Sequence, residues 1–150
     1  MIVRVNNYLR NLLLVFVAIG SLIIFSKPTY AKTGIGFIVG SPTALSVKIN
    51  NFPVIQVGYS LLDSNPYFSA AVDYWFFNPS LGSNFKFFLG VGAGVTFSDN
   101  VGVGIRVPVG LQWLPSSLIE VFVQTVPTLN VIPATTFGND WGVGIRFYFL

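Results

Sequence analysis

The sequence predicts an all-β protein: an eight-stranded antiparallel up-and-down transmembrane β-barrel that follows an N-terminal signal peptide. Three observations predict it. The 150-residue chain is 53% hydrophobic and only 9% charged, where a soluble domain carries about 25% charged residues. Its apolar residues alternate in short runs divided by turn formers, which is the period of strands. The two faces of those alternations are opposites, one bulky and apolar, the other built from glycine and charge. Membrane helices would need roughly 20 consecutive apolar residues each, and beyond the N-terminus glycines and polar residues break every such run.

The N-terminal segment is the exception. Arg4 and Arg10 precede an uncharged stretch from Leu12 to Phe25, and Thr29-Tyr30-Ala31 has the small flanking residues of a cleavage site. That order is the order of a secretory signal, and Ser26, Lys27 and Pro28 end the apolar stretch too early for a membrane span. The expected division is a signal peptide over residues 1–31 and a barrel over residues 32–150.

Removing the signal removes the charge excess. Arg4, Arg10 and Lys27 account for the whole net charge of +3. In the remainder, Lys32, Lys48, Lys86, Arg106 and Arg146 balance Asp63, Asp73, Asp99, Glu120 and Asp140, so no basic surface for nucleic acid is expected. The chain has neither cysteine nor histidine. That excludes disulfides, thiolate or imidazole metal sites, and any Ser-His-Asp triad.

Eight strands follow in order, near Thr33 to Val39, Ala44 to Asn50, Val54 to Ser60, Phe68 to Phe77, Phe85 to Phe97, Val101 to Trp113, Leu118 to Leu129 and Asp140 to Leu150. The segments between them are rich in Gly, Pro, Asn, Asp and Ser. Pro108 and Pro127 fall inside the sixth and seventh strands, where each should mark a bulge or bend, because a closed barrel has no edge to accommodate a missing N–H.

One face of these strands carries Ile35, Phe37, Val39, Leu45, Val47, Ile49 and their counterparts through Phe147 and Phe149. The other carries twelve of the fifteen glycines and nearly all the strand charges. A soluble barrel turns its bulky apolar set inward, whereas a membrane barrel turns it toward lipid. In a barrel of about eight strands the interior holds only side chains. Lys48, Asp73, Arg106, Glu120 and Arg146, from five different strands, are then expected to meet inside as a structural charge network, with Trp75, Lys86, Phe88, Gln112, Phe122, Gln124 and Tyr148 filling the rest. Aromatic residues divide into two groups, as interfacial girdles require. Phe52, Phe76, Phe85, Trp113, Phe147 and Phe149 are expected at the end bearing the N-terminus, and Phe37, Tyr59, Tyr67, Phe68, Phe97, Phe137 and Trp141 at the other.

The run Gly142-Val143-Gly144-Ile145-Arg146-Phe147-Tyr148-Phe149 resembles the C-terminal signal by which the insertion machinery recognises outer-membrane barrels. Together with Gly40-Ser41-Pro42-Thr43-Ala44-Leu45-Ser46, Gly90-Val91-Gly92-Ala93-Gly94 and Arg106-Val107-Pro108-Val109-Gly110-Leu111, the chain resembles the small OmpX-like and OmpA-barrel-like outer-membrane proteins, particularly short-looped barrels described from spirochaetes. The resemblance implies location in the bacterial outer membrane, lipid and the insertion machinery as partners, and roles from envelope integrity to adhesion and host-factor binding.

For function, the residues argue chiefly by exclusion. No nucleophile–base pair is evident, and Asp63, Asp99 and Asp140 read as turn residues, so neither an enzyme nor a cofactor is expected. Open channels are typical of about 16 strands. The outer connections at Gly40 to Thr43, Leu61 to Tyr67, Ser98 to Asn100 and Asn130 to Asn139 are short, and only the second and fourth have room to recognise a surface ligand. A filled structural barrel of the envelope is the leading expectation. A surface adhesin and a soluble exported barrel of the periplasm are the alternatives.

Overall fold

The structure, a computed structural model, describes residues 32–149; the expected signal peptide and the final Leu150 lie outside the described residues. Ten strands make up the described chain: β1 Thr33–Ser41, β2 Thr43–Ile49, β3 Val54–Tyr59, β4 Phe68–Phe77, β5 Ser80–Gly82, β6 Phe85–Phe97, β7 Val101–Arg106, β8 Val109–Ser116, β9 Ile119–Ile132 and β10 Thr136–Phe149. All pairings are antiparallel, and β10 returns to β1 from Thr33 opposite Phe149 to Ser41 opposite Trp141, closing the sheet. β7 and β8 both lie between β6 and β9, so they are one stave interrupted at Val107 and Pro108. β5 adds a short edge to the start of β6. The result is a closed barrel of eight staves.

The rim where β1 begins and β10 ends is termed lower; its connections are residues 50–53, 78–84 and 117–118. The upper rim is formed by residues 42, 60–67, 98–100 and 133–135. The fourth upper connection is therefore much shorter than the Asn130 to Asn139 segment expected from sequence. β9 and β10 stay paired up to Asn130 opposite Thr136, because Val131, Ile132, Thr136 and Phe137 are good strand formers; the hairpin passes the upper end of β1, while Ile132 still pairs with Val103 of β7.

The prolines behave differently from expectation. Pro108 interrupts its stave, but β9 runs straight through Pro127. Neither shifts the register: Arg106 faces Thr128 and Gly92, and three residues on Val109 faces Thr125 and Leu89. One bond of each reciprocal pair survives, with Val107 N–H donating to the Pro127 carbonyl at 2.9 Å and Gly90 N–H to the Pro108 carbonyl at 2.8 Å. Each proline thus removes a single ladder bond. The irregularities lie elsewhere, in β4 between Tyr74 and Phe77, near Val103 of β7 and between Trp113 and Ser116 of β8.

Register also fixes the tilt. A row of partners leaves β1 at Ile35 and passes through Val47, Ile55, Val72, Ala93, Ile105 and Leu129 to Phe137. Phe137 lies four residues beyond Trp141, the partner of Ser41, so the row returns to β1 at the level of position 45, a climb of ten residues. Eight strands with that stagger tilt by about 40° and rise about 2.5 Å per residue along the barrel axis.

The alternation is inside-out. Trp75, Phe88, Phe122, Ile38, Val54 and Val126 are buried inside with Ser46, Lys48, Gln56, Asp73, Arg106, Gln112, Glu120, Gln124 and Arg146. Ile35, Val39, Leu45, Val57, Ile105, Leu111, Val123 and Val143 remain exposed on the outer face. Lower and upper aromatic groups occur as the sequence suggests, except that Phe37 pairs with Leu45 and Ile145 at the middle of β1 rather than near the upper rim.

Candidate functional site in the barrel lumen

Five staves supply the five charged residues expected inside, and the structure gathers them into two clusters. In the lower cluster Glu120 is the centre. Arg146 Nη1 donates to its Oε1 at 2.5 Å, Lys48 Nζ to its Oε2 at 3.0 Å, and the Tyr148 hydroxyl also donates to Oε2. Arg146 further donates from Nε and Nη2 to Ser46 Oγ, at 3.0 and 2.8 Å. Two cationic donors and one hydroxyl on one buried carboxylate offset the cost of removing these charges from water.

Aromatic rings pack against this cluster. Trp75 stacks on Phe88 with centroids 3.8 Å apart, and Phe122 meets Trp75 edge-on at 6.4 Å. Lys48 Nζ lies 4.4 Å from the Trp75 centroid and the Arg146 guanidinium 3.9 Å from that of Phe122. Glycine makes the space: a Cβ at Gly110 would stand 2.7 Å from Phe88 Cε1, and one at Gly144 would meet the ring of Phe122. The rings cross the bore where glycines have given up their volume.

In the upper cluster Arg106 Nη2 donates to Gln56 Oε1 at 3.1 Å, and Gln124 Nε2 donates to the same oxygen at 3.3 Å. Arg106 Nε lies 3.0 Å from Asp73 Oδ1 as an ion pair, but the N–H is not aimed along that line, so neither Asp73 oxygen nor Arg106 Nε has a hydrogen-bond partner. Arg106 Nη1 also stands 3.8 Å from Asp140 Oδ2, and the Tyr67 hydroxyl donates to Asp140 Oδ1 at 3.3 Å. A cavity of about 20 Å³ opens beside Ser69, Thr96, Arg106, Thr128, Asn130 and Asp140.

Asp140 is thus not the isolated turn residue that the sequence suggests; β10 continues beyond it and turns its side chain toward Arg106. Gln56 and Ser46 also escape a charge-based reading of the sequence. Both alternate with residues of the inner face, Gly58 and Lys48, so strand parity alone is the signal that finds them. Asp63 does remain in an upper turn, where hydroxyl donation from Ser60 and from Ser41, the latter at 2.7 Å, holds its carboxyl below the usual carboxylate range. Nearby, burial and the Asp140 carboxylate push the Tyr67 phenol up to about 12.

The ten charges of the barrel sort by height. Lys32, Lys48, Lys86 and Arg146 lie with Glu120 toward the lower end, Asp63, Asp99 and Asp140 lie with Arg106 in the upper part, and Asp73 stands near mid-height, in the register row that joins Lys48 through Val54. Four cations against one anion below, and one cation against three anions above, leave the ends at about +3 and −2 at neutral pH. Among the described residues no group of acidic side chains is gathered as a metal site.

A closed, inside-out barrel of eight staves with a plugged bore defines the class: the fold of the small OmpA- and OmpX-like outer-membrane barrels. Within that class the chain belongs to the family described as "Protein of unknown function (DUF3996)", which matches residues 24–150. Among solved structures, the N-terminal β-barrel domain of Pseudomonas aeruginosa OprF is similar at a TM-score of 0.51 and 13% identity, covering 79% of this chain and 96% of that one. Neisserial surface protein A (NspA) aligns at a TM-score of 0.46 and 15% identity, over 79% of this chain and 94% of that one. At such identity the OprF domain bears on fold alone. No curated protein sequence matches the chain.

Proposed function

We propose that this protein is a structural barrel of the bacterial outer membrane, exported by a signal peptide over residues 1–31 and inserted through recognition of Gly142 to Phe149. The observation that carries the reading is the closed lumen inside an apolar wall. Trp75, Phe88 and Phe122 cross the bore, the Glu120 cluster locks them in place, and the outer face offers exposed Ile, Leu, Val and Phe. Water would solvate such a wall poorly, whereas lipid hydrocarbon matches it. A filled bore supports a mechanical role in the envelope and neither transport nor catalysis.

Fractionation tests the location. The mature chain should partition with the outer membrane, resist extraction by high salt and migrate differently on gels before and after boiling; release as a soluble monomer overturns the reading. In planar bilayers the purified protein should give no steady large conductance steps. Cells lacking it should become more sensitive to detergents and bulky antibiotics if the role is envelope integrity.

A second reading, surface adhesion, draws on the upper rim. Phe137 is 87% exposed and Leu61 and Leu62 are each 68% exposed. Replacing residues 61–62 by serine while leaving the barrel folded would abolish surface binding under that reading and leave envelope integrity unchanged.

A further inference from the structure

We infer that the barrel locally thins the lipid bilayer beside β1 and β2. The inference rests on the membrane reading above and concerns what the lipid does around an uneven wall.

The outward apolar band differs in height around the ring. On β9 it runs from Ile119 through Val121, Val123, Pro127 and Leu129 to Val131, twelve residues along the strand, and on β10 from Phe149 to Phe137. At about 2.5 Å per residue that is about 30 Å, more than the roughly 25 Å band of a typical outer-membrane barrel. On β1 the band runs only from Ile35 to Val39, bounded by Thr33 and Ser41, and on β2 from Leu45 to Ile49, bounded above by Thr43. Four residues give about 10 Å.

The lower ends of β1, β2, β9 and β10 are nearly level once the ten-residue stagger is spread over eight staves, so most of the difference lies at the upper side. Thr125 and Asn139 do interrupt the tall band. Their side chains bond each other, Thr125 Oγ1 donating to Asn139 Oδ1 at 2.8 Å, which reduces their need for water on a lipid-facing wall. On the short side Ser41 donates to Asp63, an exposed carboxylate of the upper loop that holds this part of the rim in water, and Thr43 donates to the Gly40 carbonyl. Hydrocarbon meeting a short apolar band adapts by thinning at modest cost per ångström.

Thr43 of β2 and Ile105 of β7 provide the test, because they lie four staves apart, on opposite sides, within about one residue of the same height. The chain has no native cysteine. Single variants Thr43→Cys, Ile105→Cys, Ile49→Cys, Trp113→Cys and Val143→Cys would each carry a nitroxide in dioleoylphosphatidylcholine vesicles, with folding checked by heat-modifiable migration. Accessibility to a water-soluble nickel chelate and to oxygen reports depth.

The label at Val143, mid-band, is the control: if it is open to nickel, the membrane reading itself fails. With Val143 in hydrocarbon, thinning requires the nickel-to-oxygen accessibility ratio at Thr43 to exceed that at Ile105 several-fold, while the lower pair Ile49 and Trp113 remain alike. Equal ratios at Thr43 and Ile105 overturn the inference. So does an opposite displacement of Ile49 and Trp113, which signals rigid tilt, or shielding of Thr43 from both reagents, which signals a protein neighbour. Should Thr43→Cys or Ile105→Cys fail to fold, Ser41→Cys or Val103→Cys on the same sides replaces it.

Discussion

The two halves of the lumen solve the same problem with different completeness. In the lower half Glu120, Lys48 and Arg146 each have hydrogen-bond partners, and the lumen atoms left without one, Trp75 Nε1 and Gln112 Oε1, belong to neutral side chains. In the upper cluster the unpartnered atoms belong to the charges themselves, Asp73 and Arg106, and a small cavity adjoins Arg106. Rings fill the space below; above, a Cβ at Gly94 or Gly138 would meet its neighbours only at ordinary contact distance. The lower half is the plug that fixes strand positions, and the upper half is a looser polar vestibule. A cavity of that size is large enough for about one water, which needs polar partners of the kind its lining supplies.

That contrast can be broken by substitution. The largest effect belongs to Glu120→Ala, which strands Lys48 and Arg146 in the bore and should cost about 3–5 kcal/mol in urea unfolding followed by tryptophan fluorescence in micelles. Gly144→Ala drives a methyl into the Phe122 ring and should cost about 1–3 kcal/mol by the same measurement. Asp73→Asn should cost only about 1 kcal/mol, since its oxygens accept no hydrogen bond and Arg106 keeps Gln56. A loss equal to that of Glu120→Ala would erase the distinction between the halves. Gly94→Ala should stay within about 0.5 kcal/mol, because its Cβ would meet nothing nearer than Arg106 Cδ at 3.5 Å.

The smallest effect is local and depends on pH. Asp63 has a folded pKa below its unfolded value, so its contribution to loop order is full above the ordinary carboxylate value of 3.8 and is lost as pH falls through the lower folded value. Acidification should therefore lower the amide-exchange protection factors of residues 60–67, taken relative to the intrinsic rate at each pH. Loosening of that loop on raising the pH from 5 to 8 would contradict the assignment.

Sequence parity made most of this legible. Once Gly142, Gly144 and Arg146 share a face, so must Tyr148 and Asp140, and the same argument places Trp75 with Asp73. The five lumen charges could be named because a charge on a glycine-rich face of a narrow barrel has nowhere else to go. Which charge meets which could not, since that depends on the ten-residue stagger, a sum over eight pairings that no local pattern encodes. The length of the β9–β10 hairpin was hidden for a related reason: residues 130–139 contain turn formers, yet cross-strand pairing overrides local preference once two strands are already zipped. Pro127 misled in the same way, because a reciprocal pair can lose one bond and keep its register.

The vertical sorting of charge has a consequence for how many copies share a membrane. Barrels inserted in one direction stand parallel, so each turns a cationic foot toward its neighbour's cationic foot and an anionic crown toward an anionic crown. Like ends side by side repel over about 10 Å at 0.1 M salt and farther in dilute buffer. Copies of this protein should therefore repel appreciably only in dilute buffer, where screening extends to about 30 Å, and their average spacing should widen as salt is withdrawn.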